Sequence, residues 1–155
     1  MEERHKYFMQ IALNEAKKAE QKGEIPIGAV IVLNDTVISK NHNRVEELSN
    51  STAHAELLAI QEAVKIIGYK HLLDATLYVT LEPCSMCAGA IVLARIKRLV
   101  FATHDSKSGA CGSVLNIVQN PKLNHKVEIL SGILENESSI LLKTFFKQLR
   151  SKDNE

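Results

Sequence analysis

Apolar and polar positions along the chain follow two periods, one helical and one extended. Over residues 3–22, Tyr7, Phe8, Ile11, Ala12 and Ala19 recur among lysines and glutamates at helical spacing, and Gly23 follows as a stop signal. A surface helix with one buried stripe is predicted there. Ile27 to Leu33 is an unbroken β-favouring run, Asn34-Asp35 is a turn pair, and Thr36 to Ser39 resumes the extended pattern. Together they predict a hairpin whose first strand is buried on both faces. Residues 40–52 are polar, rich in Asn and Ser, and without a period, so they read as a loop.

From Ala53 to Ile67 helical spacing returns through Leu57, Leu58, Ala59, Ile60, Ala63, Val64 and Ile67, with Gly68 placed as a C-terminal cap. Thr76 to Leu81 is a strand, and Pro83 suits the first turn of a helix from about Cys84 to Arg95. That helix is small or apolar nearly all round, so it must be buried in the core or against a partner subunit. Arg98 to Thr103 is the next strand; a strand-helix-strand crossover makes it parallel to its predecessor. A Gly/Ser-rich loop over 104–112, a short helix over 113–119, a last strand over 126–130 and an amphipathic helix over 135–150 complete the chain, with 151–155 as a frayed tail. This order predicts an α/β fold, a three-layer α/β/α arrangement on a mixed five-stranded sheet, in a single domain spanning residues 1–155.

Composition narrows the class without deciding it. Lys+Arg number 19 against 18 Asp+Glu, so the whole-chain charge exerts no general pull on polyanions, and nucleic-acid contact requires a local patch. The N-terminus lacks the apolar core of a signal peptide, and no apolar run reaches the ~18 residues of a membrane span. The expectation is a soluble, cytoplasmic protein with no membrane attachment. Three cysteines is an odd number, and two of them form Cys84-Ser85-Met86-Cys87, which in a reducing compartment points to metal or redox chemistry.

The chemistry lies in that stretch together with His54-Ala55-Glu56. His54, Cys84 and Cys87 supply three zinc ligands and leave the fourth tetrahedral position open to water, whose pKa zinc lowers from ~15.7 toward ~7. Glu56 is then the proton shuttle, taking a proton from the zinc-bound water that becomes the hydroxide nucleophile and delivering it to a ring nitrogen and a leaving amine. Deep inside a helix, residues two apart diverge by about 200°, but His54 and Glu56 fall at a helix start, where the geometry is looser. Two other readings stand beside this one. Cys111 as a fourth ligand makes a closed structural zinc site, and Pro-Cys-x-x-Cys alone is a redox motif that leaves His54 and Glu56 without a task.

His54-Ala55-Glu56 with Pro83-Cys84-Ser85-Met86-Cys87 resembles the signature of the zinc-dependent nucleobase deaminases of the cytidine/deoxycytidylate deaminase superfamily. Almost end to end, from Ile25 to Phe146, the chain resembles the bacterial tRNA-specific adenosine deaminases, most diagnostically in Thr52 to Glu56, Asp74 to Cys84 and Asp105 to Ser113. The resemblance implies a cytidine deaminase-like fold, one Zn2+ per subunit, a homodimer, and hydrolytic conversion of adenosine to inosine at the wobble position of a tRNA anticodon. It implies that Asn43 holds the flipped base, and that the loop of Asp105 and Lys107 and the last helix grip the anticodon stem-loop. Ser51 departs from the proline usual before Thr52, and Leu149 from a frequent basic residue. A small-molecule deaminase of guanine or cytosine is the alternative, and a structural zinc module the third reading. On the last helix, with Leu141 at 0° and ~100° per residue, Phe145, Leu149 and Leu142 fall between about 40° and 100°, facing the core. Phe146 lands near ~140°, beside Arg150 and Lys143 at roughly 180° and 200°. Phe146 either completes the apolar stripe or stacks on an unpaired base.

Overall fold

In the computed structural model, which describes residues 1–153, the elements are α1 (Glu2–Gln21), β1 (Gly28–Leu33), β2 (Thr36–His42), α2 (Ala55–Ile67), β3 (Thr76–Leu81), α3 (Ser85–Leu93), β4 (Arg98–Thr103), β5 (Glu128–Ser131) and α4 (Glu135–Asp153). Asn34 and Asp35 both take positive φ, 50° and 60°, the backbone that a tight hairpin between β1 and β2 demands. The strands lie in the order β2-β1-β3-β4-β5. β1 pairs antiparallel with β2 and β3, whereas β3, β4 and β5 run parallel, giving the expected mixed sheet.

The period-two alternation of the central strands sorts their side chains between two cores. Ala29, Ile31, Leu77, Val79, Leu99 and Phe101 point to the face covered by α2 and α3. Val30, Val32, Tyr78, Val100 and Ala102 point the other way, onto Phe8, Met9 and Ala12 of α1 and Ile133 before α4. Burial on both faces explains why β1, β3 and β4 read as continuous apolar runs rather than alternating ones. Gly28 opens β1 where α1 presses hardest: a Cβ there would sit on the Ala12 carbonyl oxygen and 2.6 Å from the Ala16 nitrogen. Only glycine permits that approach of helix to strand.

Several predicted boundaries shift, each for a local reason. The segment read as loop from residue 40 continues β2 through His42, whose Nδ1 lies 3.2 Å from the buried Glu15 carboxylate of α1. The helix expected over 113–119 does not form. There Val114 and Leu115 N–H both return to the Gly109 carbonyl, Ile117 N–H goes to Ala110, and Cys111 bridges Asn116, so the segment folds back as turns. α3 begins at Ser85 rather than Cys84, with Pro83 before the helix. Its Cys87, Ala88, Ile91 and Val92 are buried, but Leu93 is 77% exposed, so the helix is not enclosed on all sides within one chain. The last strand is Glu128–Ser131 and not 126–130. α4 runs on to Asp153, so Ser151 to Asp153 are helical, and the end of the predicted frayed tail lies outside the described residues. Leu149, expected to face the core, is exposed, because the core stripe of α4 ends at Leu142 and the last turns pass beyond it.

Candidate active site

Both donor motifs sit at helix starts, and in each the first donor is the residue just outside the helix. His54 is the N-cap of α2 with extended φ and ψ of −77° and 149°, and Cys84 is the N-cap of α3 at −75° and 177°. Because neither carries helical dihedrals, each side chain escapes the angular divergence that an interior position would impose. Cys84 follows the carboxyl end of β3, the end at which open α/β sheets build sites. His54 Nδ1 lies 3.5 Å from Cys84 Sγ and 3.7 Å from Cys87 Sγ, and the three donor atoms all fall within 4.8 Å of one another. Tetrahedral zinc with N at ~2.05 Å and S at ~2.3 Å would separate those donors by about 3.6 Å. The donor set and its spacing therefore fit such an ion.

The electrostatics favour a thiolate at the same place. Cys84 is held down to about 3, chiefly because the Cys87 thiol and then His54 hydrogen-bond to its sulfur, and Cys87 is pushed up correspondingly. His54 is raised, first by its bond to Cys84. Glu56, on the first turn of α2, is buried, and burial lifts its carboxyl from 4.5 to about 7, opposed by its own backbone N–H and the charge on His54. Cys111 stands apart: its Sγ points at the Pro83 carbonyl, 3.9 Å away, and burial pushes its thiol up. It is not among the grouped donors, which removes the closed four-ligand arrangement.

A cleft of about 1160 Å³ opens over this cluster. Its walls bring together His54, Glu56 and Cys84 with Asn43, Asp105, Lys107, Phe146 and Arg150, while Cys87 lies buried beneath the floor. Asn43 is 5% exposed; its N–H donates to the Ile27 carbonyl at 3.0 Å, and its Oδ1 has no partner among the described residues. Asp105 accepts the N–H groups of Lys107 and Ser108 at 3.0 and 3.1 Å through Oδ1, so one carboxylate oxygen is used inside its own loop. Phe145 and Phe146 meet edge to face with centroids 5.4 Å apart, and Leu149 lines the same wall.

Two residues that sequence reasoning left without a role hold the walls. Glu24, 1% exposed, accepts the N–H groups of Glu46 and Glu47 at 3.0 and 2.8 Å. Glu82 is 2% exposed and accepts bonds from Asp105, Cys111 and Ser113. Burial raises the Glu82 carboxyl, but those donors outweigh it and the net shift is downward. The signal available in the sequence was an acidic residue closing an apolar strand directly before proline.

Residues 2–150 match the MafB19-like deaminase family. The chain is 51% identical over 145 residues to the tRNA-specific adenosine deaminase of Bacillus subtilis (strain 168), covering 94% of this chain and 90% of that protein. It is 52% identical over 145 residues to the tRNA-specific adenosine deaminase of Aquifex aeolicus (strain VF5), covering 94% and 95%. A solved structure from work on A-to-I editing by tRNA:A34 deaminases at the wobble position of transfer RNA superposes with a TM-score of 0.85 at 46% identity, covering 88% of this chain and 99% of that one.

Proposed function

We propose, for a chain that belongs to the MafB19-like deaminase family and to the tRNA-specific adenosine deaminases within reach of its sequence, hydrolytic deamination of adenosine to inosine at the wobble position of a tRNA anticodon. The observation that carries the chemistry is the buried Glu56 carboxyl beside the His54, Cys84 and Cys87 donors at the floor of one cleft. His54 Nδ1 and the two sulfurs would hold one Zn2+ per subunit; when bound, it supplies Lewis-acid activation of water. Water adds its oxygen to C6 of adenine and releases ammonia, so the reaction forms one C–O bond and breaks the C6–N6 bond. Glu56 accepts one proton from the water and passes it to the ring nitrogen, then takes the proton of the new C6 hydroxyl and delivers it to the departing amine as the C6 carbonyl forms. Burial keeps its carboxyl close to neutrality, where a group both takes and gives protons efficiently.

The unpartnered Oδ1 of Asn43 suits a hydrogen-bond donor on the flipped base. Asp105, Lys107, Phe146 and Arg150 then contact the anticodon loop, the aromatic ring by stacking and the cations by charge. The cleft extends from the donor cluster past Asp105 and Lys107 to Phe146 and Arg150 on α4, a reach that suits a nucleotide with its flanking residues. The open side of α3 around Leu93 is the surface we assign to a homodimer. No helix among the described residues is long and apolar enough to cross a membrane, and tRNA modification fits the cytoplasm.

The test incubates purified protein separately with an anticodon stem-loop bearing wobble adenosine and with free guanine and cytosine. Inosine in the RNA is expected. Ammonia from a free base with unmodified RNA would overturn the proposal.

A further inference from the structure

The Glu82 side chain is fully enclosed, yet its nearest basic group is the half-exposed His104 ring, with Nδ1 3.4 Å from Oε1. A buried carboxylate without a Lys or Arg partner has to be stabilised by hydrogen bonds. One loop supplies them. Oε1 accepts the Asp105 N–H at 3.1 Å and the Ser113 hydroxyl, and Oε2 accepts the Cys111 and Ser113 N–H groups, both at 3.0 Å. Gly109 lies against the carboxylate so closely that a Cβ would collide with it and stand 2.5 Å from the Asp105 carbonyl. The stretch from His104 to Ser108 contributes little to either core: His104, Ser106, Lys107 and Ser108 are exposed. This carboxylate holds the stretch to the sheet together with the His104 ring, edge-on to Phe101 at 5.1 Å, the Ala110 N–H to the Pro83 carbonyl at 2.9 Å, and the buried Ala110 and Cys111 that follow.

We infer that Glu82 is a positioning residue: by gathering the amides at both ends of the 105–113 loop, it presets Asp105 and Lys107 at the cleft wall before substrate arrives. The inference rests on the proposed role of that wall in holding RNA. A loop fixed in advance loses less freedom on binding, so the effect belongs to substrate affinity more than to the chemical step.

The test compares wild type, E82Q, E82A and S113A in steady-state deamination of the wobble-adenosine stem-loop and in Kd for the same stem-loop carrying inosine, the product, which has no amine to lose. Zinc per chain and Tm are recorded for each. Losing N–H bonds to a charged acceptor predicts KM and Kd about tenfold higher or more in E82A. E82Q and S113A, which keep part of the network, rise less, and kcat falls by a smaller factor than KM rises at unchanged zinc content. If E82A does not fold, E82Q and S113A carry the comparison. With an active wild type, KM and Kd unchanged in both milder variants, or a loss confined to kcat, overturns this inference alone. A wild type that leaves the stem-loop unmodified overturns the tRNA reading and this inference with it.

Discussion

Replacing Glu56 with glutamine separates what this residue does for turnover from what it does to stability. The carboxyl is 4% exposed, and burial lifts it from 4.5 to about 7. With 1.36 kcal/mol per pH unit, the ionised form is disfavoured by about 3 kcal/mol in the folded chain relative to the unfolded one. The sign follows from the raised value: the penalty is absent below pH 4.5, grows as pH rises, and is complete above about 7. E56Q carries no such charge. In protein stripped of metal by chelation, urea unfolding from pH 4 to 8 should therefore show wild type losing stability relative to E56Q, the gap approaching about 3 kcal/mol at the alkaline end. In metal-loaded protein the same variant should keep its metal, because Glu56 is not among the grouped donors, and lose about 10²- to 10⁴-fold in turnover on the stem-loop. Turnover within tenfold of wild type would remove Glu56 as the proton carrier. A pH-independent gap between the two stabilities would refute the burial argument.

Cys111→Ser should retain metal and turnover, as metal analysis and the inosine assay would show, since that sulfur faces Pro83 and not the donor group. Gly28→Ala forces α1 off β1 against two backbone atoms, and should cost about 1–3 kcal/mol or more, read as a lowered Tm. Glu15 is held below its ordinary 4.5 because hydrogen bonds from Lys18 and His42 outweigh its burial. Its contribution is full above 4.5 and fades as pH falls through the lower folded value, so acid denaturation of Glu15→Gln should be less steep than that of wild type.

The elements legible in the sequence were those in which local pattern and tertiary burial agree. β1, β3 and β4 are apolar on successive residues because both faces are covered, and α2 stops at Gly68, whose φ of 75° only a residue without a side chain adopts freely. The donor cluster was legible for a related reason: its residue types are rare together and its spacing is short within each motif. What escaped was polar structure fixed by distant partners. His42 extends β2 through its contact with α1, and the amides of Cys111 and Ser113 are held by a carboxylate some thirty residues earlier. Neither partner is visible to a local window. The outward turn of Leu149 is likewise a matter of where α4 leaves the sheet, which helical stepping alone does not contain.

The placement of donors on two separate helix starts has a polymer consequence. His54 and Cys84 are 30 residues apart, and the chain between them contains all of α2 and β3. Cys84, Cys87 and Cys111 are free thiols, so no covalent tie closes any part of this fold. An ion shared by His54 and Cys84 would act as a reversible cross-link around that segment. Closing a loop of this length removes about 3–4 kcal/mol of unfolded-chain entropy on the chain-entropy account. The catalytic centre would then double as the one staple of the domain, fastened by ligand exchange instead of oxidation, and occupancy of the site would set the mechanical integrity of α2, β3 and α3 together.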